Sequence, residues 1–144
     1  MNIEEKIIKN FSFNNKFIGD DCAYLKDTKQ LISTDSITEN THFDLKKFTA
    51  MQIAHRLFVS NYSDIQSSGG EPKYALFNIS FPKRKSLFAL SISRHLKNML
   101  KKNHIIIIGG DTTKSRDIFL SLTLISKKIN RSQVLLRSKS KVND

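Results

Sequence analysis

The sequence predicts an α+β domain in which a mixed sheet is packed with helices. Three observations lead there. Stretches with helical spacing and stretches with strand character follow one another along the whole chain, in the order α-β-α-β-α-β-β. A length of 144 residues suits one domain large enough to bury a real core. No internal repeat and no Pro- or Gly-rich linker divides the chain.

Each element has its own signal. Ile3, Ile7 and Ile8 fall at helical spacing within residues 2–10, giving a short amphipathic helix. The stretch "QLISTDS" (30–36) reads as a short strand running into a turn. After Thr49, a capping candidate, Met51, Ile53, Ala54, Leu57 and Phe58 make one helical stripe. That helix should end near "SSGGEP" (67–72), where two glycines and a proline interrupt it. "KYALFNISFP" (73–82) is a β-rich run closed by Pro82. Ala89, Ile92, Leu96, Met99 and Leu100 recur at three- and four-residue steps, predicting a second long helix over 86–102. "HIIIIGG" (104–110) reads as a buried strand, and "DIFLSLTLIS" (117–126) as a strand with one wet face. The polar, basic ending has the look of a domain boundary, with no closing element.

Composition narrows the function classes. Against 13 Asp and Glu stand 24 Lys and Arg, a formal net charge of +11, which favours anionic partners such as nucleotides and phosphorylated metabolites. The lysines are dispersed, and Tyr24, Tyr62 and Tyr74 are not interleaved with them, so a nucleic-acid-binding surface is not expected. Cys22 is the single cysteine, which excludes an internal disulfide and suits a reducing compartment. No apolar run approaches the roughly 18 residues that span a bilayer, and the first residues lack a signal-peptide pattern. The expectation is a cytoplasmic protein without a membrane partner.

In a chain with few acids, their placement carries information. Asp20 and Asp21 in "FIGDDCA", Asp35 in "LISTDS", Asp64 in "VSNYSD" and Asp111 in "IIIIGGDTT" each follow an apolar stretch, and each reads as sitting in a turn. Carboxylates placed this way can converge although they are far apart in sequence. Converged, they would repel one another strongly unless cations shared the site. Hard divalent ions such as Mg²⁺ take such oxygens together with hydroxyls and substrate phosphates. Thr34, Ser63, Thr112 and Thr113 supply hydroxyls nearby, and Gly19, Gly109 and Gly110 allow close backbone approach. Neither a Walker-type loop nor a dinucleotide fingerprint is present. His42, His55, His95 and His104 read, on their own, as surface or packing residues.

Taken in order, "FIGDDCA" (17–23), "STDSITENTHF" (33–43), "NYSDIQSSGGEP" (61–72), "IIGGDTT" (107–113) and "RSKSKVND" (137–144) form a linked set covering nearly the whole chain. This set resembles the N-terminal half of the thiamine-monophosphate kinases, within the superfamily that includes aminoimidazole ribonucleotide synthetase. The sequence departs from the family at Thr41, at Gln66–Gly69 where small apolar residues are usual, and in the "KVND" ending. None of these departures removes an aspartate of the set.

The resemblance implies an enzyme, a phosphotransferase that moves the γ-phosphoryl group of ATP onto the phosphate of thiamine monophosphate. No protein nucleophile is implied, and several Mg²⁺ ions dominate the catalysis. Carried over position by position, Asp21, Asp35, Asp64 and Asp111 would bind Mg²⁺, with Ser33 and Thr34 adding oxygens and Asp20 a secondary candidate. Gly110, Asp111 and Arg137 would hold ATP, with Gly109 and Thr112 secondary, and His42 would contact the thiamine substrate. Residues 1–144 would then be an ATP- and Mg²⁺-binding N-terminal domain that pairs with a second copy through its sheet. A C-terminal domain usual in the family is missing from this sequence, so the chain alone is expected to be a poor kinase. The alternatives are another ATP-using enzyme of the same superfamily, such as a selenophosphate synthetase or a hydrogenase-maturation protein, or a non-catalytic basic module that binds nucleotide or nucleic acid.

Overall fold

The structure is a computed structural model, and it describes residues 2–11 and 20–135. Its helices and strands are α1 (Ile3–Phe11), β1 (Ala23–Leu25), β2 (Gln30–Thr38), α2 (Ala50–Ser67), β3 (Pro72–Phe81), α3 (Ser86–Lys102), β4 (Ile106–Lys114) and β5 (Phe119–Ser126). The strands make one mixed sheet in the order β1-β2-β5-β3-β4, antiparallel throughout except for the parallel pair β3–β4.

α2 starts where its capping box places it. The Thr49 hydroxyl accepts from the Gln52 N–H at 3.2 Å, while Gln52 Oε1 accepts from the Thr49 N–H at 2.9 Å. Its stripe then buries Ile53, Ala54, Leu57, Phe58 and Ile65 against β2 and β5. Met51, expected on that stripe, faces outward instead. Ala89, Ile92, Leu96 and Leu100 anchor α3 beside α2. Beneath α2, β5 alternates as expected, with Leu120, Leu122 and Leu124 fully buried. Each such side chain contributes about 1.5–3 kcal/mol by leaving water. The opposite face, carrying Thr34, Tyr74, Leu76, Asn78, Ser121 and Thr123, is only partly buried or exposed. α1 forms as expected but none of its residues is buried.

Two further expectations fail. The isoleucine run is not a buried strand: Ile105 is buried, but Ile106, Ile107 and Ile108 are 49%, 47% and 54% exposed. A continuous β-branched run signals burial on both faces when a strand has neighbours on both sides. β4 is parallel to β3 but ends the sheet, so its outer flank is bare. β2, for its part, does not turn at Ser33–Ser36. Polar residues there continue the pleat, and the strand runs nine residues to Thr38.

Candidate functional site

The aspartates sit mostly inside regular elements, not in the turns the sequence suggested. Asp35 lies within β2, Asp64 within α2 and Asp111 within β4; Asp20 and Asp21 immediately precede β1. Along β2, Leu31, Ser33, Asp35 and Ile37 share the face toward α2. There the two elements exchange hydroxyl hydrogen bonds. Ser33 Oγ of β2 donates to Asp64 Oδ2 at 3.1 Å, and Ser60 Oγ of α2 donates to Asp35 Oδ2 at 2.6 Å.

The negative charge is crowded. Burial holds the Asp64 carboxyl above the usual carboxylate range; the Ser33 hydrogen bond opposes that, and Asp35 and Asp21 push it further up. Asp64 also lies in the last turn of α2, where the backbone carbonyls present partial negative charge and the helix supplies no basic residue. Cys22 reports the same field. Burial pushes its thiol up to about 11, the Ser68 hydrogen bond pulls it down, and Asp64, Asp21 and Asp20 add to the rise. Timed alkylation at pH 8 should therefore find Cys22 at least about 100-fold slower than an exposed thiol, since thiolate is the reacting form. Full reactivity should return in denaturant; fast alkylation of the folded chain would show that the thiol is not buried beside these carboxylates.

Asp21 and Asp35 are thus each within electrostatic reach of Asp64, and Asp20, Asp21 and Asp64 within reach of Cys22. Asp111 is not. It pairs with Asn78, which pairs with Ser121, which pairs with Ser36. Three strand intervals separate it from β2, about 14 Å. It also lies on the opposite face of the pleat from Asp35. Its Oδ1 accepts from the Thr112 N–H at 2.8 Å. Thr34 likewise points away from the carboxylate group, its hydroxyl 2.9 Å from that of Thr123 on the open face. Gly110 shares the transverse row of Asp35, through Leu122 and Phe77, and Gly109 pairs with Leu76. Thr112 lines a cavity of about 660 Å³ with Phe81, Lys83, Ser86, Thr113 and Lys114. Among the described residues, no three His, Cys, Asp or Glu side chains are arranged to share one metal ion. Arg137 and Gly19 lie outside the described residues.

His42 occupies a tight turn after β2. Its N–H donates to the Thr38 carbonyl at 2.8 Å, and its Nδ1 accepts from the Thr38 N–H at 3.0 Å. Arg56 donates to the His42 carbonyl. Ser60 and Ser68, which hold Asp35 and Cys22, were not singled out from the sequence. Ser60 on α2 and Ser68 at its C-cap are each four residues from Asp64, so the helical repeat places all three on one side.

An aspartate-bearing sheet of this topology under two long helices has relatives. Residues 19–127 match the family described as AIR synthase related protein, N-terminal domain, and the chain belongs to that family. Within it, the chain is 34% identical over 133 residues to the thiamine-monophosphate kinase of Buchnera aphidicola subsp. Acyrthosiphon pisum, covering 90% of this chain and 40% of the relative. It is 32% identical over 131 residues to the thiamine-monophosphate kinase of Haemophilus influenzae, covering 88% and 39% respectively. The structure of AaThiL complexed with AMPPCP and TMP superposes with a TM-score of 0.75 at 26% identity, over 88% of this chain and 43% of that one. The chain spans about two fifths of the length of the curated relatives it matches. No helix among the described residues is long and apolar enough to cross a membrane.

Proposed function

We propose that this chain is the nucleotide- and magnesium-binding N-terminal part of a kinase that transfers the γ-phosphoryl group of ATP to the phosphate of thiamine monophosphate, giving thiamine diphosphate. The observation that carries the reading is the gathering of Asp21, Asp35 and Asp64 from three separate segments. It occurs in a chain whose relatives bear that activity's name.

The donor set suits Mg²⁺. All the candidate ligands are hard oxygens, their charges are mutually unfavourable, and the α2 C-terminus beside them favours a cation. Mg²⁺ is commonly held by one or two carboxylates completed by phosphate and water, so Asp35 and Asp64 would take an ion that arrives with nucleotide. Bound there, Mg²⁺ would neutralise phosphate oxygens and hold the transferring group in line.

The chain's own part is to hold and orient. The hydroxyls of Ser60 and Ser33 each occupy one oxygen of Asp35 and Asp64, fixing the rotamers and leaving the second oxygen for an ion. Asp21 joins that group, with Asp20 behind it. Gly109, Gly110, Asp111 and Thr112 form a second strip on β4 that takes phosphate and a separate ion, with Arg137 contributing to ATP. His42 meets the thiamine-bearing substrate. A second copy completes the assembly through the uncovered sheet face and the aliphatic β4 edge, where Ile106–Ile108 are half exposed. The working compartment is the cytoplasm, where ATP and Mg²⁺ are plentiful.

Titration of the 144-residue chain with AMPPCP tests this. Binding is expected with Mg²⁺ and should fall at least about tenfold with EDTA. Binding that ignores Mg²⁺ but collapses with salt would indicate a basic nucleic-acid module instead. Affinity for other phosphate acceptors over thiamine monophosphate would move the chain to another enzyme of the superfamily.

A further inference from the structure

Glu39 is a buried carboxylate, 7% exposed, outside the aspartate group. Both of its oxygens are engaged. Oε1 accepts from Lys85 Nζ at 2.5 Å, and Oε2 accepts from the Ile118 N–H at 2.9 Å. The Glu39 N–H donates back to the Ile118 carbonyl at 2.9 Å, so backbone and side chain together extend the β2–β5 ladder past Thr38–Phe119. Lys85 also lies 3.8 Å from Asp117 Oδ1, which accepts from Asn40 Nδ2 at 3.4 Å.

These contacts close around the turn that carries His42. Asn40 takes a left-handed φ of 65°, and its N–H donates to the Phe43 carbonyl at 2.8 Å. Because the Thr38 N–H donates to Nδ1 of His42, that nitrogen is an acceptor, and the neutral ring carries its proton on Nε2. The turn therefore fixes both the direction of the ring and the nitrogen that donates. A buried carboxylate and a lysine tied across three segments are costly to desolvate and, for stability, are readily replaced by apolar packing. Their value here lies in geometry: they join the end of β2, the start of β5 and the β3–α3 connection beside the turn that carries the half-buried His42.

We propose that Glu39 and Lys85 are positioning residues that clamp the 38–43 turn so that His42 offers an Nε2–H donor to the thiamine-bearing phosphate ester. The inference rests on the substrate role given to His42 above. Lys85 holds Oε1 of Glu39, which leaves Oε2 aimed at the Ile118 amide. Asp117 and Asn40 are the outer half of the same clamp.

The test uses two readouts on the whole 144-residue chain. Nitrogen-15 shifts of the His42 ring report its tautomer without any ligand. Titrations with thiamine monophosphate, in the presence of Mg²⁺ and AMPPCP, report the consequence. The unaltered chain should show the Nε2–H form. Glu39→Gln and Lys85→Met should mix the tautomers and weaken thiamine monophosphate binding about tenfold, with AMPPCP affinity changed less than about twofold. Lys85→Arg, which keeps the charge, should retain the ring signature. If Lys85→Met does not fold, the half-exposed Asp117→Asn carries the test, with a smaller loss of about threefold. An Nδ1–H ring in the unaltered chain, an unchanged ring in the variants, or an equal loss of both ligands would overturn the proposal. Failure of the unaltered chain to bind thiamine monophosphate would instead overturn the functional reading, leaving the ring shifts to decide the clamp.

Discussion

Replacing Asp64 by asparagine should stabilise the metal-free chain at neutral pH and, in the same protein, abolish magnesium-dependent nucleotide binding. Burial, Asp35 and Asp21 raise the folded-state pKa of this carboxyl, against the opposing Ser33 hydrogen bond. A raised folded value means that the native state binds the proton more tightly than the unfolded chain. The stabilisation from a protonated Asp64 is therefore fully present below the unfolded value of 3.8 and is lost as pH rises through the higher folded one. At pH 7 the charged side chain is a net cost. Asparagine removes the charge and keeps an oxygen to accept from Ser33. Solvent screening at this half-buried position limits the gain, so the melting temperature in EDTA should rise by on the order of 2 °C. Affinity for AMPPCP with Mg²⁺ should fall at least about 100-fold. A variant less stable than the parent would assign Asp64 a structural role. A variant that binds as well as the parent would remove it from the metal site.

That opposition between stability and binding was partly legible in the sequence. Five aspartates in four turns after apolar stretches suggested convergence, and the ordered motifs suggested which carboxylates matter. The partners that tune them were not legible. Ser60 and Ser68 acquire meaning only when α2 is docked antiparallel to β2, so that Ser60 meets Asp35 while Asp64 meets Ser33. Local pattern served best where one residue stripe decides the packing. The capping box at Thr49, the stripe of α3 and the alternation of β5 are such cases, and each element formed within a residue or two of its expected bounds. It failed where position in the sheet decides. The isoleucines of β4 are exposed because the strand is last in the order, and Asp111 is distant from Asp35 because β5 and β3 intervene. No local signal encodes either fact. β1 escaped notice because three residues are too short to display a period.

Gly110→Ala should be the most damaging single-methyl change on β4, and its effect should be on folding before ligand binding. β4 gains one residue relative to β3 between the Ala75–Ile107 and Leu76–Gly109 pairs, leaving Ile108 as the extra residue of a bulge. Just beyond it, Gly110 takes a φ of 151°, and a Cβ built there would stand 1.8 Å from the Phe77 carbonyl oxygen and 2.7 Å from its carbon. Those are backbone atoms of β3, which is itself held by β5 on the far side, so they cannot withdraw without opening the sheet. The expected cost exceeds about 3 kcal/mol, seen as a large loss of soluble folded protein and of hydrogen-exchange protection over Ile106–Lys114. Gly109→Ala provides the contrast. Its nearest obstacle is the tip of Leu76 at 3.2 Å, a side chain able to rotate away, so a cost below about 1 kcal/mol is expected. Native protection of β4 in Gly110→Ala would refute this account of the glycine. If the variant folds and loses only nucleotide affinity, the glycine serves the ligand and not the strand pairing. Because the backbone collision precedes any ligand, weakened AMPPCP binding in a destabilised Gly110→Ala reports β4 docking, and Asp111→Asn, which leaves that backbone undisturbed, is the variant that reads the phosphate strip itself.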